Sequence, residues 1–285
     1  RILKFLKMIS NNKESTLRGS SILSGLKVSK GVSRIDHYLS NTLNNKVLKY
    51  YLSKGLPIKQ ASNEIKEDFF NYRNLWKTQP IDQINNLKSN CLQANSMKPL
   101  SLDLELAAIC DLACPYCFRQ TYVTPDKIMP KELAFELIDQ ASDIGIPSIK
   151  FNWRGEPLLH PNICEIIKYS KEKGILDTII NTNATRLNES MAQSLIDSGL
   201  DQIIYSFDGG TKETYEKNRI GRFAVNKFSD VYQNIRNFNS AKSNLSSEFP
   251  WTKIQMILTP DTYDEQQKFI DLFSDCVDEV VVNQY

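Results

Sequence analysis

Three cysteines, Cys110, Cys114 and Cys117, fall in one short stretch, LDLELAAICDLACPYCF, from Leu102 to Phe118. Thiolates are soft ligands, and three delivered by one tight loop in the spacing C-x3-C-x2-C suit an iron–sulfur cluster. A four-iron cubane held by three cysteines leaves one iron free to bind a small molecule. A structural zinc knuckle is the competing use of the same residues. Zinc asks for four ligands in a closed site, and Cys91, Cys164 and His160 lie outside any ordinary second knuckle pair. Six cysteines in 285 residues, three of them crowded together, also make a poor disulfide framework.

The elements that must carry this loop can be read from residue 98 onward, where short apolar runs alternate with amphipathic stretches. Strands are expected at Leu102–Ile109, Ser148–Trp153, Asp177–Asn181, Gln202–Phe207, Lys253–Leu258 and Glu279–Val282. Helices are expected near Lys131–Ile144, Asn162–Lys173, Glu189–Ser198, Val225–Asn239 and Asp264–Ser274, each with an apolar stripe. Such repeats imply parallel strands joined by right-handed crossovers. The expected fold class is α/β, a partial six-stranded parallel β/α barrel of the TIM type, with chemistry at the strand C-terminal rim. The unusual residues fall at that end of successive strands. The cysteine loop follows the first, Arg154–Gly155–Glu156–Pro157 the second, Asn181–Thr182–Asn183 the third and Ser206–Phe207–Asp208–Gly209 the fourth.

The cysteine spacing, with Tyr116 just before the last cysteine, resembles the signature of the radical S-adenosylmethionine family. The resemblance covers roughly residues 100–285. It implies a [4Fe-4S] cluster whose open iron chelates S-adenosylmethionine, and one-electron cleavage of the sulfonium to a 5′-deoxyadenosyl radical that abstracts hydrogen from substrate. It assigns Cys110, Cys114 and Cys117 to the cluster, and Tyr116, Phe118, Gly155, Glu156, Pro157, Asn183, Ser206, Asp208 and Arg219 to the cofactor. Glu156 would accept from the cofactor's ammonium and Arg219 would meet its methionyl carboxylate. Register points to Ile257 or Leu258 and to Val282 or Asn283 for adenine. RGEP departs from the family's Gly-Gly-Glu-Pro, which puts the extra cation of Arg154 at the rim, toward substrate or solvent. The SFDG-plus-arginine pattern is most like the SPASM-type branch, whose members modify peptides, proteins or sugar-like metabolites, but only Cys276 follows residue 164, so the cysteine-rich extension of that branch is not in this chain. The resemblance also implies an electron donor such as a flavodoxin or ferredoxin. The alternative is a non-catalytic metal- or cluster-binding module.

Composition narrows the partners. Lys plus Arg total 35 against 33 acidic residues, so a net charge of +2 selects neither nucleic acid nor an anionic membrane. No apolar run approaches the roughly 20 residues of a bilayer span, and RILKFLKMIS is too short and interrupted for a secretory segment. The expected location is the cytoplasm. Arg1 in place of an initiator methionine is consistent with a piece of a longer protein. Residues 1–97 form an N-terminal helical segment distinct from the 98–285 core, with helical spacing at Val47, Leu48, Tyr51 and Leu52 and again from Ile65 to Trp76. They are expected to pack on the outer surface or lower rim of the barrel through Phe69, Phe70, Leu75 and Trp76. Residues 10–33 have the composition of a mobile stretch. His160, Cys91, Cys164 and Cys276 read as structural.

Overall fold

The computed structural model describes residues 27–29, 31–88, 98–122 and 124–284. Residues 1–26 and Cys91 lie outside them, and so do the readings made of that cysteine and of the chain's first residues.

A seven-stranded sheet has the order β1-β7-β6-β5-β4-β3-β2. Strands β2 (Leu102–Asp103), β3 (Ser148–Lys150), β4 (Asp177–Thr182), β5 (Gln202–Ser206), β6 (Trp251–Leu258) and β7 (Glu279–Gln284) are the six expected from the sequence. Each is parallel to its sequence neighbour. The connecting helices run over Lys131–Ile144, Ile163–Glu172, Glu189–Ser198, Phe228–Asn244 and Gln266–Phe273. A further helix, Lys212–Asn218, was not legible from periodicity because it is only two turns long. This is the partial TIM-type barrel of the expected class.

Alternation divides each strand between two environments. Ile149, Phe151, Ile180, Ile203, Tyr205, Phe207, Ile254, Met256, Val280 and Val282 join one core with the helices. Their alternates on the opposite, concave face are mixed: Lys150, Asn181, Ser206, Lys253, Gln255 and Asn283 are half-buried there beside the aliphatic Ile179, Ile204, Ile257 and Val281. Aliphatic walls with a few polar groups are what a ligand-holding half-barrel needs.

Two expectations are corrected. The first strand is not Leu102–Ile109: it ends at Asp103 because the backbone beyond it is engaged elsewhere. Ala108 donates to Lys127 O at 2.8 Å, Leu106 O accepts from Met129 at 2.9 Å, and Ile109 O accepts from Glu156 at 2.8 Å. The second concerns the N-terminal segment. β1 (Lys27–Ser29) adds an antiparallel edge strand to β7, which the sequence reading lacked.

The helices Arg34–Ser40, Leu48–Ser53 and Ile58–Lys88 sit at the lower rim, against the N-terminal ends of β4, β5 and β6. There Tyr38, Ile65, Phe69 and Tyr72 are buried with Leu176 and Phe249. Phe70, Leu75 and Trp76 are 50%, 48% and 47% exposed, since they fall off the Ala61–Ile65–Phe69–Tyr72 stripe that faces the barrel. Buried charge completes this contact. Lys171 Nζ lies 2.6 Å from Asp201, Asn45 Nδ2 donates to the same carboxylate at 2.6 Å, and Arg34 pairs with Asp177. Among the described residues no helix is long and apolar enough to cross a membrane.

Candidate active site

The cysteine loop is strapped down from both sides. Ala113 donates to Ile220 O at 2.7 Å and Arg222 to Asp111 O at 2.8 Å, pinning the loop to the turn after Asn218. Asp126 pairs with both Arg119, at 2.9 Å, and Arg222, at 2.8 Å, and ties in the following loop. Cys114 is buried, and Cys110 and Cys117 are half-buried. Burial, with Glu156 nearby, pushes the Cys110 thiol up to about 12. A coordinating metal deprotonates such a thiol outright.

Gly155 explains why the second strand's loop can reach the cysteines. A Cβ there would lie 2.0 Å from Ala107 O and 2.5 Å from Ile109 O, so only glycine fits against this backbone. Arg154, expected to face substrate or solvent, stays partly open to solvent but is paired: its Nε and Nη2 form a fork on Glu105, at 3.0 and 2.5 Å, and its amide donates to the same carboxylate at 2.8 Å. The acid two residues after Asp103 neutralises the cation that replaced glycine. Glu105 is correspondingly held below the usual glutamate range by Arg154 despite its desolvation.

Glu156 is 2% exposed, with both oxygens filled from within the chain. Oε1 accepts from Thr182 Oγ1 at 2.6 Å and Leu158 N at 3.1 Å, and Oε2 accepts from Asn183 N at 2.8 Å. Burial nonetheless raises this carboxyl to about 7. Asn183 in turn donates to Asp111 at 2.8 Å and sits 3.9 Å from Cys110 Sγ. Asp111, which also accepts from Thr185 at 2.7 Å and Arg186 at 3.0 Å, went unnoticed in the sequence because it lies inside the cysteine motif and matches no expected role.

Across the mouth, Asp208 is 1% exposed and gathers three donors. Tyr116 Oη and Arg219 Nη2 both bond its Oδ2, and Ile257 N donates to Oδ1 at 2.7 Å. Arg219 Nη1 lies 3.8 Å from Cys114 Sγ, while its Nε is buried without a hydrogen-bond partner.

Two networks thus meet the cysteine loop from opposite sides: Glu156 and Asn183 with Asp111 and Cys110 on one, and Asp208, Tyr116 and Arg219 with Cys114 on the other; Gly155 packs against the start of the loop, and Cys117 lies within it. Ser206 stands apart on the concave face, 3.5 Å from Gln255 Nε2. Pro157 is buried at the start of a short 3-10 turn, and Phe118 is 48% exposed on the rim. His160 is buried on Met129 O at 2.8 Å, a structural bond.

The donor set fits an iron–sulfur cluster: three soft sulfurs from one loop, with an orphaned guanidinium N–H beside them. Among the described residues no three His, Cys, Asp or Glu side chains converge closely enough for one metal ion.

Residues 104–273 match the family model described as Radical SAM superfamily. A probable GTP 3′,8-cyclase of Methanothermobacter marburgensis is 36% identical over 122 residues, 42% of this chain and 39% of that protein. An Fe-coproporphyrin III synthase of Methanosarcina barkeri is 33% identical over 137 residues, 47% of this chain and 33% of its own length. The chain spans less than half the length of these curated relatives. Among solved structures, Streptococcus suis SuiB bound to precursor peptide SuiA superposes with a TM-score of 0.52 at 18% identity, over 79% of this chain and 53% of that one, a likeness of fold. The family match spans more than half of the sequence and takes in the cysteine loop and the ends of β3, β4, β5 and β6; the chain belongs to the radical SAM superfamily, enzymes that use a [4Fe-4S] cluster and S-adenosylmethionine.

Proposed function

We propose that this chain is the cofactor-cleaving core of an enzyme of the SPASM-type branch, acting by hydrogen abstraction on a peptide, a protein or a sugar-like metabolite. One observation carries the reading: the loops after β2, β3, β4 and β5 are fastened to one another at a single rim by Glu156, Asp111 and Asp208. When bound, the cluster supplies the electron that splits S-adenosylmethionine into methionine and a 5′-deoxyadenosyl radical.

In this reading Cys110, Cys114 and Cys117 ligate the cluster. The Glu156 carboxylate and the backbone oxygens around Gly155 to Pro157 accept from the cofactor's ammonium, Asn183 lies near its ribose or carboxylate, and the bonds from Thr182 and Asn183 to Glu156 hold both loops in place. Arg219 faces the methionyl carboxylate, Ser206 and Asp208 the ribose side, and Tyr116 and Phe118 border the cofactor from the cysteine loop. Asn181, Gln255 and Asn283 on the concave face offer a substrate polar partners among the aliphatic Ile179, Ile204 and Ile257. GTP, the compound in the name of the Methanothermobacter relative, is one polar compound to assay beside peptides and sugar-like metabolites. We assign the core to residues 98–285 and, within the N-terminal segment 1–97, the sealing of the lower rim to the helices between Arg34 and Lys88. The reading also carries a cytoplasmic location and an electron donor such as a flavodoxin or ferredoxin.

Anaerobic reconstitution with iron and sulfide tests it. The expected product is a brown protein with about four irons per chain that releases 5′-deoxyadenosine on reduction with S-adenosylmethionine. A colourless, iron-free protein would overturn the reading.

A further inference from the structure

We infer that Arg219 sets the reduction potential of the cluster, by donating to the Cys114 sulfur from a guanidinium that Asp208 holds in place. The inference rests on the reading of Cys114 as a cluster ligand. Its basis is how thoroughly this arginine is fixed. Arg219 closes the helix Lys212–Asn218, its amide bonded to Tyr215 O at 2.8 Å and its carbonyl to Asn226 Nδ2 at 2.8 Å. Its side chain is only 11% exposed. One nitrogen is spent on Asp208, a second points at Cys114 Sγ from 3.8 Å, and the third has no partner. Asp208 cannot swing away with it, because Ile257 N holds its other oxygen at 2.7 Å and Asn218 Nδ2 holds its carbonyl at 3.1 Å.

Adding an electron to a cluster increases the negative charge on its thiolate sulfurs, and no bond is made or broken. A cation or N–H donor at a sulfur stabilises the reduced form more than the oxidised one and raises the potential. In a buried site that influence is weakly screened. The Asp208 carboxylate acts with the opposite sign from farther along the same pair. The two residues should therefore push the potential in opposite directions, which a general loosening of the site would not do.

The test is an EPR-monitored redox titration of the reconstituted full chain without S-adenosylmethionine, alongside iron content. Leaving the cofactor out removes any effect of Arg219 on its carboxylate. Arg219→Met is expected to lower the midpoint by the equivalent of a tenfold weaker reduction, about 59 mV for one electron. Asp208→Asn should raise it, and Arg219→Lys should fall between the methionine variant and the unaltered protein. Midpoints that do not move, or that move the same way in both variants, overturn the inference. Should Arg219→Met lose its iron, Asp208→Asn decides: an upward shift supports the inference and any other result overturns it. Unaltered protein that takes up no iron would sink the ligand reading itself.

Discussion

Each cysteine of the trio has a distinct surrounding, yet their replacement should have one outcome. Cys110→Ala, Cys114→Ala and Cys117→Ala are each expected to abolish iron retention, because a cubane on three protein thiolates has no spare; Cys164→Ala and Cys276→Ala should keep full iron by chemical assay. Glu156 calls for a different expectation. Three donors converge on its carboxylate, and an amide offers only one acceptor oxygen, so Glu156→Gln turns an NH₂ toward a donor. A loss of about 1–3 kcal/mol follows from one unsatisfied buried group. Chemical denaturation should show that loss, and anaerobic titration should show weaker cofactor binding with the cluster retained.

The loops behave as elements in their own right because backbone contacts lock them together. Gly155→Ala drives a methyl group into Ala107 O and Ile109 O, where no side chain can move aside. It should cost about 1–3 kcal/mol or more, visible as a lower melting temperature and poor cluster assembly. At the other end of the strands Asp278 fastens β6 to β7 by accepting from Thr252 N and Oγ1, both at 2.8 Å, and from Lys242 at 2.9 Å. Desolvation opposes ionisation there, but Lys242 and Thr252 outweigh it and hold the carboxyl below the usual aspartate range. A depressed folded value contributes stability above the unfolded value, which is lost as pH falls through the folded one. Asp278→Asn should therefore destabilise the protein at neutral pH, and denaturation midpoints of the two forms should converge in acid.

At the scale of the whole molecule, the N-terminal helices complete the charge balance of the barrel floor. Asp177 and Asp201 are 0% and 1% exposed; Lys171 meets Asp201, and without Arg34 the Asp177 carboxylate would keep only a long bond from Tyr72 Oη, at 3.4 Å. Removing one partner of a buried pair costs about 3–5 kcal/mol, so Arg34→Met should be strongly destabilising and Arg34→Met with Asp177→Asn less so. A core beginning at residue 98 should then fail to unfold cooperatively in calorimetry.

What the sequence determined by itself was whatever depends on spacing along the chain. Cys110, Cys114 and Cys117 announce their chemistry because one loop delivers all three, and the six parallel strands show because alternation and turn residues are local. The 3.6-residue stripes of Lys131–Ile144 and Glu189–Ser198 likewise mark those helices to the residue. Tertiary structure decided what depends on distant partners. Arg154 read as an extra cation at the rim, and its partner Glu105, 49 positions away, shows only in the fold. Glu156 and Asp111 acquired their donors from the loop after β4. Phe69 was separated from Phe70, Leu75 and Trp76 only by which side of the long helix the barrel floor occupied. β1 was invisible because three exposed residues carry no pattern, and their pairing is set by the free edge of β7. Periodicity records which face is buried; it does not record which charge arrives to meet another, since that is fixed only when the strand ends are brought to one rim.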